Sequence, residues 1–299
     1  MNRSTFSKSV VPGLFEFSVD SFKERPELWR SLCNVKSSRR AYEESAYYAG
    51  FGYVPQKPEG EPIVYDELTQ GPTKRWTHLT YGLGARITEE LIDDSLYPEI
   101  GQMETIAREL GRSARETLEV LVADIWNNGT ATTNHSCGDA LAVFSNAHLG
   151  LKSANWSNLL TPAADLSAAS LEAAIDNLET TKDGSGKNQL IKASKLIVPT
   201  KLAWKAKELL NSGYDPETPN NAINAIKERN LSLVVSPYLT DTDAWGLIAD
   251  QNPLIAFLRR KVTFAKDSDF DTGDFKMKTT MRFSIEVNNP LGLYWTVGA

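Results

Sequence analysis

The sequence predicts an α+β fold organised around one long helix and one long strand, with a mixed α/β unit lying between them in the chain. Three observations carry this. Ile100, Met103, Ile106, Ala107, Leu110, Ala114, Leu118, Leu121, Val122 and Ile125 recur every three or four residues, as one face of a helix requires. Phe275, Met277, Met281, Phe283, Ile285 and Val287 alternate with Lys276, Lys278, Arg282, Ser284 and Glu286, the period of a strand with one buried face. Between these two, helical and strand periods take turns along the chain.

The chain begins with a basic segment. Residues 1–40 carry eight Lys or Arg against four acids, +4, so the remaining residues carry −10 of the net −6. Phe15, Phe17, Phe22 and Trp29 are scattered there without sustained periodicity, and only "ERPELWRSLC" reads as a short helix. This is an arm that packs on something. Residues 50–71, "GFGYVPQKPEGEPIVYDELTQG", are rich in glycine, proline and charge, yet Phe51, Tyr53, Val54, Ile63, Val64 and Tyr65 run through them. "TKRWTHLTYGLGARI" follows, with Leu79, Tyr81, Leu83, Ala85 and Ile87 on one side and His78, Thr80, Gly82, Gly84 and Arg86 on the other, a half-buried strand. Paired with "IVYDEL" and the apolar residues before Pro55, it makes 50–80 a two-stranded excursion, marginal in water by itself.

"ITEELIDDS" reads as a short helix, and Pro98 suits the first position of the next. From Pro98 to Asn128 that helix would span about 45 Å. Glu104 with Arg108, Arg112 with Glu116 and Arg115 with Glu119 form supporting pairs on its outer face, and Gly129 ends it. After a polar stretch, Leu171, Ala174, Ile175 and Leu178 mark a helix over 167–179. "SKLIVP" is a short buried strand, and "TKLAWKAKELLNSG" a helix capped by Thr200 and ended by Gly213. "LSLVVS" and "AWGLIA" are further strands, and "DSDFDTGDF" is an acidic turn ahead of the long strand 275–287.

A hydrophobic fraction of 41% in 299 residues is enough for a sizeable core. A net charge of −6 excludes wholesale coating of nucleic acid or an anionic membrane. Two cysteines, Cys33 and Cys137, give no disulfide framework, and no segment is long and apolar enough to span a bilayer or act as a signal peptide. A cytoplasmic protein without membrane contact is expected.

Chemistry is sparse. Of three histidines, His78 falls on a polar strand face and reads as solvated. His135 lies two residues from Cys137, but a metal site needs about four ligands. Ser145 and His148 are close in "FSNAHLG" without a nucleophile-elbow pattern, so His148 reads as bracing a loop. No phosphate loop or dinucleotide fingerprint occurs, and "DSDFDTGDF" lacks the glutamate that closes a calcium loop. The acids of "EELIDD" point in several directions from a helix and suit its dipole. No catalytic residue, metal site or cofactor is called for, which leaves an enzyme only through an unrecognised site.

The order of elements, with "LAVFSNAHLGLKSANWSNLL", "LSAASLEAAIDNLETTKDGSGK", "SKLIVPTKLAWKAKELLNSG" and "SPYLTDTDAWGLIAD", resembles the major capsid proteins of tailed double-stranded DNA phages, of the Hong Kong ninety-seven-type fold. Within them it is most similar to the Mu-type major head subunit. The resemblance implies an N-terminal arm at 1–35, an extended loop at 50–80, and a peripheral domain from 36–49, 81–129 and 263–289 with the spine helix 98–128. It implies an axial domain from 130–262 and 290–299. Tyr53, Lys57, Glu59, Glu61, Tyr65, Asp66 and Glu67 would then form an intersubunit assembly loop, and Arg3, Lys8, Phe15 and Phe17 the arm's contacts. Lys57 is in the kind of place where some members carry a crosslinking lysine, and it reads as solvated.

The implied function is structural: hexamers and pentamers of this chain forming an icosahedral virion shell around double-stranded DNA, assembled in the host cytoplasm. The resemblance implies separate portal and maturation proteins as partners, and a separate scaffolding protein too, because the arm starts almost at Met1. A nanocompartment shell of the same fold fits the same sequence and would hold protein cargo. A tail or baseplate protein would form tubes or rings instead.

Overall fold

The computed structural model describes residues 16–88, 99–214 and 223–299. The helix read as "ITEELIDDS" and the position of Pro98 lie outside them. Two helices open the described chain, α1 over residues 16–23 and α2 over Trp29–Leu32. They lie on the long helix α3, Glu99–Asn128.

The main sheet has the order β1-β8-β9-β4, from Asn34–Ser37 (β1), Leu79–Ile87 (β4), Ile255–Ser268 (β8) and Phe275–Glu286 (β9). β9 is central because both of its edges pair, with β8 and β4, and one of its faces packs on α3. Met277, Met281, Phe283 and Ile285 are buried along one face, where α3 supplies Ala107, Leu110, Leu118, Val122 and Ile125. Burying each of these side chains other than Ala107 contributes roughly 1.5–3 kcal/mol. β4 pairs with β9 along nine residues, from Leu79 opposite Phe283 to Ile87 opposite Phe275.

The second sheet has the order β10-β7-β5-β6, from Ala193–Pro199 (β5), Ser232–Ser236 (β6), Trp245–Ala249 (β7) and Leu293–Thr296 (β10). Helices α4, Ala168–Thr180, and α5, Ala203–Asn211, pack on it through Leu171, Ile175, Ala206 and Leu209. Ser167 caps α4 in a capping box with Ser170. The two sheets share a core at the C-terminal half of α3, where Trp126 lies 5.2 Å from Phe144 and 5.3 Å from Trp295. Gly129 ends α3 at this crowded point. A Cβ there would sit 2.1 Å from the Ile125 carbonyl oxygen and 2.8 Å from the Phe144 ring.

Several local expectations are corrected. Thr200 does not cap α5: it lies in a 3-10 turn, Thr200–Leu202, that leads into the helix, and the helix stops at Ser212 rather than Gly213. Of the three charge pairs on α3, Glu104–Arg108 forms at 2.7 Å. Arg112 turns instead to Glu109 and Glu24, and Glu119 turns to backbone amides. Strand β8, Ile255–Ser268, is not among the strands the sequence predicts. Its alternation is masked in the sequence by Arg259, Arg260 and Lys261, where the register with β9 shifts.

Candidate assembly interface

The excursion is a ribbon of β2, Tyr42–Ala49, and β3, Thr69–Thr77, paired from Tyr42 opposite Thr77 to Ala49 opposite Thr69. The expected pairing of one strand "TKRWTHLTYGLGARI" with "IVYDEL" and the apolar residues before Pro55 does not occur, because residues 50–68 form no strand and that stretch divides into β3 and β4. Pro55, Pro58 and Pro62 remove ladder donors from that stretch. Its far end is a turn in which the Glu61 amide donates to the Pro58 carbonyl at 3.3 Å, with Gly60 at φ +82.

The root of the ribbon is fastened by charged and polar side chains. His78 sits between β3 and β4, buried rather than solvated at 2% exposure. Its Nδ1 is 2.8 Å from Ser284 Oγ and its Nε2 3.1 Å from Ser38 Oγ. Burial pushes its pKa down, helped by the Arg282 and Arg259 cations. Lys74 pairs with Glu286 at 2.5 Å and donates to the Ser136 carbonyl. Asn288 Nδ2 donates to the Ser45 carbonyl at 3.0 Å.

Where the ribbon gives way to the loop, Lys152 joins both legs. Its ammonium bonds Asp66 Oδ1 at 2.9 Å, the Gly50 carbonyl at 3.4 Å, and the Glu67 carbonyl. Asp66 also accepts from the Gly52 and Glu67 amides, each at 2.8 Å. The Gly52 amide, followed by Lys152 and the Glu67 amide, holds this carboxyl down to about 2.

Beyond this latch, Tyr53, Val54, Ile63, Val64 and Tyr65 are exposed, Val54 at 95% and Tyr65 at 86%. Lys57, Glu59 and Glu61 are exposed with them, and none has an ion-pair partner among the described residues. The loop residues singled out in the sequence thus divide into a free apolar and charged outer part and an in-chain latch containing Asp66 and the Glu67 backbone.

Arg3, Lys8 and Phe15 lie outside the described residues. Phe17 on α1 packs against Ala107, Leu110 and Met277, under the Arg108 guanidinium at 4.9 Å. Glu119 is the fastening that the sequence did not suggest. Buried on α3, its two oxygens accept the Leu28 and Trp29 amides at 2.8 and 2.9 Å at the start of α2. Burial raises its pKa, against the two amides and Arg115. Its spacing from Arg115 suggested a surface pair, and only three-dimensional proximity to α2 shows otherwise.

The residues with catalytic potential are engaged structurally. His148 is buried, with Nδ1 2.8 Å from Asp139 Oδ2 and Nε2 facing the Val143 carbonyl and Asn158 Oδ1 at 3.3 and 3.2 Å. Asn158 Oδ1 in turn accepts the Ser145 amide at 2.8 Å, so His148 braces the loop with both ring nitrogens engaged by Asp139, Val143 and Asn158. His135 Nε2 pairs with Asp124 on α3 at 2.8 Å. Burial pushes the Cys137 and Cys33 thiols up to about 12, which makes them inert.

A family model described as phage capsid protein matches residues 71–296. The chain belongs to the phage capsid protein family. Its role is that of a structural major capsid protein, a shell subunit of the virion. The capsid protein is similar in fold to a chain in the structure of Microbacterium phage Oxtober96, with a TM-score of 0.57 at 12% identity, over 91% of this chain and 90% of that one. It is similar to a chain in the capsid of bacteriophage JBD30 decorated with minor capsid protein trimers, with a TM-score of 0.57 at 16% identity, over 72% and 92%. A chain of the virus-like particle from Pyrococcus furiosus gives 0.54 at 12% identity, over 95% and 97%. No curated protein matches the capsid protein in sequence.

Proposed function

We propose that this capsid protein assembles into hexamers and pentamers of an icosahedral head by laying its loop, residues 50–68, on a neighbouring copy. The observation that carries this reading is the row of exposed apolar side chains Tyr53, Val54, Ile63, Val64 and Tyr65 on a segment whose root is latched in place. Scattered exposed apolar residues are ordinary, but a contiguous set on a projecting element marks an interaction surface. Lys57, Glu59 and Glu61 select the neighbour and its register.

In this reading residues 1–35 are the arm. Residues 36–49, 81–129 and 263–289 form the peripheral domain, and 130–262 with 290–299 the axial domain. The head encloses double-stranded DNA without sequence-specific contacts and is built in the host cytoplasm with separate scaffolding, portal and maturation proteins. The quoted sequence stretches favour a Mu-type head subunit within the family.

Deleting residues 54–66 tests the reading. The expected product is a folded subunit, with an unchanged circular dichroism spectrum and cooperative unfolding, that forms no shells in negative-stain microscopy. Normal shells, or a subunit whose own core is broken, would refute it.

A further inference from the structure

Of the seven tryptophans, Trp29, Trp76, Trp126, Trp245 and Trp295 are buried and Trp156 is half-buried, but Trp204 is 81% exposed. It sits near the start of α5, whose opposite face buries Ala206, Leu209 and Leu210, so the ring points away from the sheet on a fixed helix. Lys201 and Lys207 flank it on the same exposed side. On the same helical layer, between α4 and the 3-10 turn Ala225–Arg229, is a groove of about 200 Å³ floored by Ile175 and Ile226. Glu172 and Asp176 rim it. Arg229, its remaining charge, is already paired with Glu179 at 3.1 Å.

We infer that Trp204 of one copy seats in the α4–turn groove of the next copy, with Lys201 and Lys207 facing Glu172 and Asp176. Three features commit the site to a second copy of this chain. The knob is a tryptophan, the residue type most often dominant in interface energetics. Knob and groove are opposite in net charge, Lys201 and Lys207 outweighing the exposed Glu208 beside Trp204 and Glu172 with Asp176 outweighing Arg229, which orients the encounter. Knob and groove are different patches of one chain, so the contact is heterologous, and a contact of that kind closes into a ring when the rotation allows. It is separate from the loop 50–68 and uses the chain with that loop intact.

Acrylamide quenching of tryptophan fluorescence tests this on dissociated subunits and on assembled shells free of nucleic acid. Subunits are expected to show a quenchable component that Trp204→Phe removes and that assembly of the unaltered chain protects. Glu172→Lys with Asp176→Lys is expected to cut shell yield at least about tenfold, and adding Lys201→Glu with Lys207→Glu to restore it. Circular dichroism checks that each variant is folded.

Several results would overturn the inference. These are equal quenching in subunits and empty shells, protection only in DNA-filled heads, unchanged yield from the charge-reversed variant, or no restoration by the complementary reversal. Because every variant keeps residues 50–68, these outcomes are independent of the loop deletion.

Discussion

Strands β8 and β9 and strands β2 and β3 both form antiparallel ribbons, yet β9 carries a buried face along its length whereas β2 and β3 lead into an exposed loop. β8 and β9 lie in a four-stranded sheet, with α3 covering the β9 face that carries Met277, Met281, Phe283 and Ile285. β2 and β3 form a sheet of two and run into residues 50–68, where Tyr53, Val54 and Tyr65 face outward. The difference shows that a strand-forming composition does not say where a residue's partner lies. In β9 the partner is in the same chain, and beyond β2 and β3 the described residues cover none of Tyr53, Val54 and Tyr65.

Truncation separates the two ribbons most sharply. Phe283→Ala removes a ring that meets Trp29 edge-on at 5.9 Å and is expected to cost about 3–5 kcal/mol, read as a lower urea midpoint. Tyr65→Ala is expected to stay within about 0.5 kcal/mol of the parent while lowering shell yield. A loss above about 1 kcal/mol for Tyr65→Ala would show that the loop contributes to its own subunit's core, and the comparison would collapse.

Glu119 sharpens the comparison at a second place, because it ties α2 to the covered side of the molecule. Glu119→Ala leaves the Leu28 and Trp29 amides without their acceptors, and a loss of about 1–3 kcal/mol is expected in the same unfolding experiment. Glu119→Gln keeps one acceptor and is expected to lose less. Equal losses for the two variants would mean that packing, rather than hydrogen bonding, holds α2.

The covered side was legible in the sequence wherever one period ran long enough to fix a face, as in α3 from Met103 to Ile125 and in β9. β8 was not legible, because the register shifts around Arg259–Lys261 break its alternation. His78 was misplaced for a related reason. It falls at the junction between β3 and β4, where the face rule no longer holds, and two serines distant in sequence satisfy its ring. The candidate site was legible as an anomaly, a proline-rich stretch carrying strand-forming residues. Its root was not, since the Lys152 latch joins residues about 85–100 positions apart and no local pattern records such a contact.

Acid titration distinguishes two carboxyls of the covered body. Burial works against ionisation of Asp139, but hydrogen bonds from His148, Leu141 and Leu149 outweigh it and hold this carboxyl below 3.8, its ordinary value. Its contribution to stability is therefore present above that value and is lost as pH falls through the lower folded pKa. Glu119 has the opposite sign: its folded pKa lies above 4.5, so ionisation erodes stability as pH rises through the interval between the two. Asp139→Asn is expected to flatten the acid limb of a midpoint-against-pH curve, and Glu119→Gln to flatten the segment just above it. Unchanged curves would assign the acid limb to other carboxyls.

The smallest expected effect on folding comes from the latch. Lys152→Met removes the ammonium that joins Gly50, Asp66 and Glu67, all at the solvated edge of the ribbon, where ion pairs add little to stability. The urea midpoint is expected to stay unchanged. The direction in which residues 50–68 leave the ribbon loses its restraint, so limited proteolysis within the loop should accelerate in free subunits and shell assembly should slow. If proteolysis accelerates while assembly does not slow, the neighbour itself orders the loop. If neither changes, the Asp66 contacts with the Gly52 and Glu67 amides are sufficient to set the loop's direction, leaving Lys152 as a surface contact of the kind that a solvated ion pair ordinarily is.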